Sequence, residues 1–275
     1  MNSSTEILTH HRQKVQTEAI WGDRLIRFLT FSLLIGKVWQ FFRLDPLSLH
    51  LSFLGESAWM FLRPVCVAIF SVSAIGILLD REEGISRFLE GVLWASYIIL
   101  LASTLGSFAA KSYQLPQLLE HSIQWSTPLM YVLIRRREAD LGHVLLFWIK
   151  LAITCTFLGH GLYALGIPEL PGHFVGMTAS ILGLAPSHAT QFLTVAGLLD
   201  MLVCVGIWLP PTRRISLLYA VFWGTATALA RIVAHWEWGD MLGVMDRWLP
   251  EVLIRLPHGM IPLWVWWVYS QEKEK

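Results

Sequence analysis

Apolar runs long enough to cross a bilayer recur along this chain, and they constrain its fold more than any short motif does. A hydrocarbon core near 30 Å calls for about 20 apolar residues per helix. Eight stretches approach that length: Leu25–Phe42, Trp59–Leu79, Phe88–Ala110, Leu118–Ile134, Val144–Leu165, Thr190–Leu209, Ile215–Ala234 and Val252–Tyr269. Only 15% of the residues are charged and 55% are hydrophobic, where a soluble domain carries roughly 25% charge. The sequence therefore predicts an all-α integral membrane protein with eight transmembrane helices and the lipid bilayer as its first partner.

Charge excludes some functions and sets an orientation. A net charge of +1 offers no basic face of the kind nucleic acid needs. The three cysteines, Cys66, Cys155 and Cys204, lie apart inside apolar segments, so neither a disulfide framework nor a CxxC redox pair is expected. Residues 1–20 read as a polar tail without the apolar core of a signal peptide. Arg12, Lys14, Arg24 and Arg27 precede or begin the first span, and further basic residues fall in alternate loops: Arg81 and Arg87, Arg135 to Arg137, Arg213 and Arg214, then Lys273 and Lys275. By the positive-inside rule both termini are cytoplasmic. The expected location is a bacterial inner membrane.

The chain also repeats itself. Gly36-Lys37 aligns with Gly159-His160, and at the same offset Arg27 aligns with Lys150. Ile75 to Ser86 aligns with Val205 to Ser216, and Leu115-Pro116 and Pro128-Leu129 align with Leu249-Pro250 and Pro262-Leu263. Four spans per half give two parallel four-helix repeats, residues 21–137 and 138–275, related about an axis along the membrane normal. Asp200 then falls opposite Phe70, His258 opposite Gln124, His160 opposite Lys37, and Arg231 opposite the apolar Leu101 and Ala102. The second half is the richer in titratable groups, so a site is expected there first, with the first half as scaffold or interface.

Gly159-His-Gly161 and the run Ala196-Gly-Leu-Leu-Asp200 through Leu209 resemble the DoxX-like family of small four-helix membrane proteins. Arg24-Leu-Ile-Arg27 and Leu34-Ile-Gly-Lys37 resemble it more loosely, and together the two halves look like a tandem pair covering nearly the whole chain. The resemblance implies one four-helix bundle per half. It also implies a link either to quinone-coupled sulfur oxidation or to membrane chaperones. Phe70 departs from the family's acidic position, which argues against two equal sites.

Four intramembrane ionisable residues mark the candidate site, since such groups are costly in lipid and usually face a bundle interior. At 1.5 Å per residue, His160, Arg231 and His258 sit roughly 6–9 Å below the outer surface, with Asp200 near the midplane. Arg231 is suited to anchor a carbonyl, carboxylate or oxyanion. His160 and His258 are suited to hydrogen-bond a ligand or shuttle protons, and Asp200 to hold Arg231 or accept a proton. The alternative is structural: Asp200 and Arg231 neutralise each other, and the histidines fix packing. His173, His188 and His235 supply more potential ligands, yet no close spacing brings three together, so no metal is expected. Pro171–Leu184 and His235–Trp248 read as Trp-bearing interfacial helices over the second bundle.

The function expected from sequence is binding of a small amphipathic ligand, with a quinone as the candidate cofactor, in redox-linked membrane metabolism. The alternatives are a non-catalytic subunit or assembly factor of a larger membrane complex and, third, a small-solute transporter.

Overall fold

The computed structural model describes residues 3–43, 56–80, 85–136 and 142–271, with side chains from 21 onward in the first helix and from 59 onward in the second. The expectations for Arg81, Arg137, Lys273, Lys275 and the side chains of His10, His11, Arg12 and Lys14 lie outside the described residues. Every regular element described is helical: α1 (Ser3–Phe42), α2 (Glu56–Leu79), α3 (Arg87–Ala110), α4 (Leu115–Leu119), α5 (Ser122–Arg136), α6 (Gly142–Ala164), α7 (Gly172–Leu182), α8 (Pro186–Gly206), α9 (Arg213–Ala234) and α10 (Met241–Gln271). Six contain segments long and apolar enough to cross a membrane: Trp21–Phe42 in α1, Trp59–Leu79 in α2, and the whole of α3, α6, α8 and α9. The chain is a multi-pass membrane protein.

Two of the expected spans take a different form. Leu118–Ile134 is not continuous: α4 ends at Leu119, Glu120 and His121 form a turn, and α5 starts at Ser122. The His121 side chain is the local cause, because its Nδ1 lies 2.9 Å from the Gln117 carbonyl oxygen, the acceptor that an unbroken helix would offer to the His121 N–H. Val252–Tyr269 lies inside the longer α10, which carries Glu251, Arg255 and three prolines, Pro250, Pro257 and Pro262, and is not among the six segments above. The predicted interfacial helix over His235–Trp248 is divided between a 3-10 turn, Trp238–Asp240, and the first turns of α10. Its counterpart over Pro171–Leu184 is α7.

Helices α1, α2, α3 and α5 pack in a closed ring, each against the next, and α6, α8, α9 and α10 close a second ring. The rings meet where α1 lies on α10, where α6 lies on α4 and α5, and where α5 touches α10. Leu29, Leu33, Phe70, Leu93, Ile123, Ile149, Ile153, Phe157 and Val265 fill the common core. Leu79, Phe88, Leu202 and Phe222 point outward and are exposed, as faces that meet acyl chains require. Two glycines set how closely the rings approach. A Cβ on Gly36 would stand 2.9 Å from the Pro250 carbonyl oxygen, and one on Gly159 would stand 2.8 Å from that of Pro116. Only a residue without a side chain admits backbone that near.

The two ends of the bundle differ in chemistry. Where α1 enters and α5 leaves, Arg135 is fully buried, with Nε 3.0 Å from Asp80 and Nη1 3.1 Å from Asp23. The Tyr131 hydroxyl donates to Asp80 at 2.5 Å, and Arg27 donates to the Asp80 carbonyl at 2.7 Å. In the second ring the same end uses cations on aromatic faces, Lys150 over Trp208 at 4.5 Å and Arg213 over Tyr269 at 4.1 Å. At the opposite end Asp246 ties the start of α10 to α1, through Trp39 Nε1 at 3.1 Å and Arg43 at 2.7 Å. The candidate site lies one to two turns below that tie.

Candidate functional site

Polar side chains enter the ring interface from three helices at one level. On α1, Lys37 and Gln40 are three residues apart and share one helix face, with Lys37 Nζ donating to Gln40 Oε1 at 3.2 Å. On α10, Glu251 and Arg255 are four apart and form an ion pair on the inward face. Gln40 donates its side-chain amide to Glu251 across the interface. Arg231 of α9 reaches the same carboxylate, with Nε 3.5 Å from Oε2. Glu251 is only 2% exposed, so it is a buried carboxylate held by two guanidinium groups and an amide. Burial of such a charge is tolerable only with this degree of pairing.

Beside this cluster is a cavity of about 30 Å³, room for two or three water-sized groups at about 10–15 Å³ each. Lys37 and Gln40 line it from α1, Ser103, Thr104 and Ser107 from α3, His121 and Gln124 from the α4–α5 break, and Glu251, Ile254 and Arg255 from α10. Nine of these ten are polar. The Ser103 hydroxyl is buried without a hydrogen-bond partner among the described residues. The break between α4 and α5 also brings the first turn of α5 to the cavity wall, with the positive end of that helix's dipole. Long cations, hydroxyls and a helix N-terminus around a small chamber together favour a ligand that accepts hydrogen bonds and carries negative charge.

The residues expected from sequence are only partly gathered here. His160 of α6 and His258 of α10 do meet, with ring centres 5.5 Å apart. His258 Nε2 lies 3.3 Å from the side-chain nitrogen of Gln124. His160 Nε2 and His258 Nδ1 are buried and have no hydrogen-bond partner among the described residues. Arg231 stands at the edge of the group through Glu251. Asp200 does not hold Arg231, as was expected: the carboxylate facing Arg231 is Glu251. Asp200, 1% exposed on α8, packs against Gly161 and has Tyr219 and Trp223 of α9 as its polar neighbours. The reason is which neighbour each face meets: the packing of α9 on α10 turns Arg231 toward Glu251, while Asp200 meets α9 at Tyr219 and Trp223.

The cavity also lies toward the first ring, which was expected to be scaffold or interface, and is lined by α10 from the second. Lys37, Gln40, His121, Gln124, Glu251 and Arg255 are the residues that sequence reasoning passed over. Glu251 fell one residue outside the expected final span, although Glu251-x-x-x-Arg255 is a ready i, i+4 ion pair beside an apolar run. Lys37 was aligned with His160, but the first half was discounted as a whole. Among the described residues no three His, Cys, Asp or Glu side chains are grouped to hold a metal ion. Compared with protein-family models, curated proteins and solved structures, the chain matches none of them.

Proposed function

We propose that this multi-pass membrane protein binds a small ligand bearing a carboxylate, oxyanion or polarised carbonyl in the cavity between Lys37 and Arg255. The observation that carries the reading is the pair of arginines, Arg231 and Arg255, held on the buried carboxylate of Glu251, with Lys37 joined to the same group through Gln40, beside a chamber lined with hydroxyl and amide groups. Lys37 and Arg255 hold the ligand's negative oxygen, Gln124 and the α3 hydroxyls orient it, and Glu251 keeps the guanidinium groups in place when the chamber is vacant. A quinone head group is one carrier of the required carbonyl, and it enters only if the α3 wall moves outward. A DoxX-like tandem of two four-helix units fits the two closed rings, with α4–α5 and α10 as the fourth span of each. The basic residues around Arg27, Arg135 and Arg214 favour the cytoplasmic side for that end of the bundle, with the cavity nearer the outer face of a bacterial inner membrane.

The test is purification in a mild detergent, followed by mass spectrometry of extracted small molecules and of co-purifying chains. A retained acid or quinone that disappears in Lys37→Met and in Arg255→Gln supports the proposal. A stoichiometric partner chain with no retained small molecule replaces it with a structural role in a membrane complex.

A further inference from the structure

The contacts between the rings obey an approximate two-fold relation that carries the site further. Lys37 aligns with His160, so Gln40, three residues on, corresponds to Tyr163. Pro116 aligns with Pro250, so Gln117, His121 and Gln124 correspond to Glu251, Arg255 and His258. The structure pairs these crosswise. Gln40 of the first ring bonds Glu251 of the second, and Tyr163 of the second donates to Gln117 of the first at 3.2 Å. Gly36 abuts the Pro250 carbonyl and Gly159 abuts that of Pro116. Gln124 and His258, equivalent to each other, touch across the axis itself.

Applied to the cavity, the relation exchanges Lys37 for His160, Gln40 for Tyr163, Glu251 for Gln117 and Gln124 for His258. Each of these four polar residues is replaced by another polar one, and the charges of Lys37 and Glu251 are lost; of the remaining wall, Arg255 exchanges with His121 and Ile254 with Glu120, whose carboxylate repels an anion. Two buried nitrogens in this second set, His160 Nε2 and His258 Nδ1, have no hydrogen-bond partner among the described residues. With Gln124 donating to Nε2 of a neutral His258, the proton sits on Nδ1 and is a donor without an acceptor. A buried donor left unpaired costs about 1–3 kcal/mol, which an accepting ligand atom offsets.

We propose that His160, His258, Tyr163 and Gln117 form a second subsite, related to the cationic cavity by the two-fold axis, which takes an uncharged hydrogen-bonding group such as an amide or ketone carbonyl. It rests on the preceding assignment only for the identity of the first cavity, and it has its own probe. Acetate and acetamide have the same shape and differ in charge. Saturation-transfer NMR on the full chain in deuterated detergent reads both at millimolar concentration.

Acetamide is expected to bind, and to lose about tenfold in affinity in His160→Phe and several-fold in Tyr163→Phe, the loss of about one hydrogen bond each. Acetate is expected to stay within about twofold in both variants and to lose about tenfold in Lys37→Met; acetamide, whose uncharged carbonyl gains much less than a carboxylate from the Lys37 ammonium, changes there by less than about twofold. Thermal unfolding of each variant separates a local loss from misfolding, and Tyr163→Phe keeps the ring that packs on Phe174. Acetamide binding that is absent from the unmodified protein, or indifferent to both His160→Phe and Tyr163→Phe, overturns the second subsite. Loss of both probes by Lys37→Met alone reduces the two subsites to one and also overturns it. Acetamide binding that depends on His160, with no acetate binding, upholds the subsite and refutes the anion reading of the first cavity.

Discussion

Replacing Glu251 by glutamine tests the electrostatic core of the site directly. The amide keeps the size of the side chain and an oxygen that can accept from Gln40, so the change removes little beyond charge. Arg231 Nε stands 3.5 Å from the carboxylate and Arg255 closer still, and their side chains are only 13% and 14% exposed. At an effective dielectric constant near 20, the Arg231 pair alone is worth roughly 5 kcal/mol of gross attraction. Relief of the carboxylate's own burial cost returns part of that. Breaking a buried pair on one side typically costs about 3–5 kcal/mol, and Glu251→Gln is expected to destabilise by about 3 kcal/mol. Reversible unfolding in mixed micelles of mild detergent and dodecyl sulfate measures it. In the same assay, Arg231→Gln should cost at least about 1 kcal/mol less in the Glu251→Gln background than in the native one, the signature of coupling in a double-mutant cycle. A destabilisation below about 1 kcal/mol, or purely additive variants, would refute the picture of Glu251 as the group that holds the two arginines.

Gly36→Ala and Gly159→Ala should each lower stability by about 1–3 kcal/mol, because the added methyl meets backbone atoms that cannot rotate away; the same unfolding assay reads it, and a neutral result for both would mean the rings are not closely seated. At the other end of the bundle, Arg135→Gln leaves Asp80 and Asp23 without their buried partner and is expected to cost about 3 kcal/mol, while acetate affinity of the folded fraction stays within about twofold. Tyr131→Phe, which removes one donor to Asp80, should cost about 1–2 kcal/mol by the same measurement. Acetate binding by the unmodified protein should weaken as salt competes for the cationic cavity, whereas acetamide binding should not; titrations at low and high sodium chloride decide it.

Hydrophobic run length alone determined that the chain is helical and meets lipid, because a bilayer leaves isolated segments no other way to satisfy their backbone. It located the membrane-length segments of α1, α2, α3, α6, α8 and α9 to within a few residues, and it put His160 and His258 at one level, where their rings meet. The aligned pairs around Gly36 and Gly159 were also visible, since close backbone approach demands the same small residue in both places. What run length could not deliver was lateral position. Hydropathy reports how far along a helix a residue sits but not which neighbour its face meets, so Asp200 was matched to Arg231 when the packing of α9 on α10 gave Arg231 to Glu251. The break at Glu120 and His121 was likewise hidden, because a side chain capping a carbonyl looks in sequence like any polar residue in an apolar run. The cavity arose only from tertiary structure: Lys37 on α1 and Arg255 on α10 are far apart in the chain, and only the crosswise packing of the two rings brings their charges to one chamber.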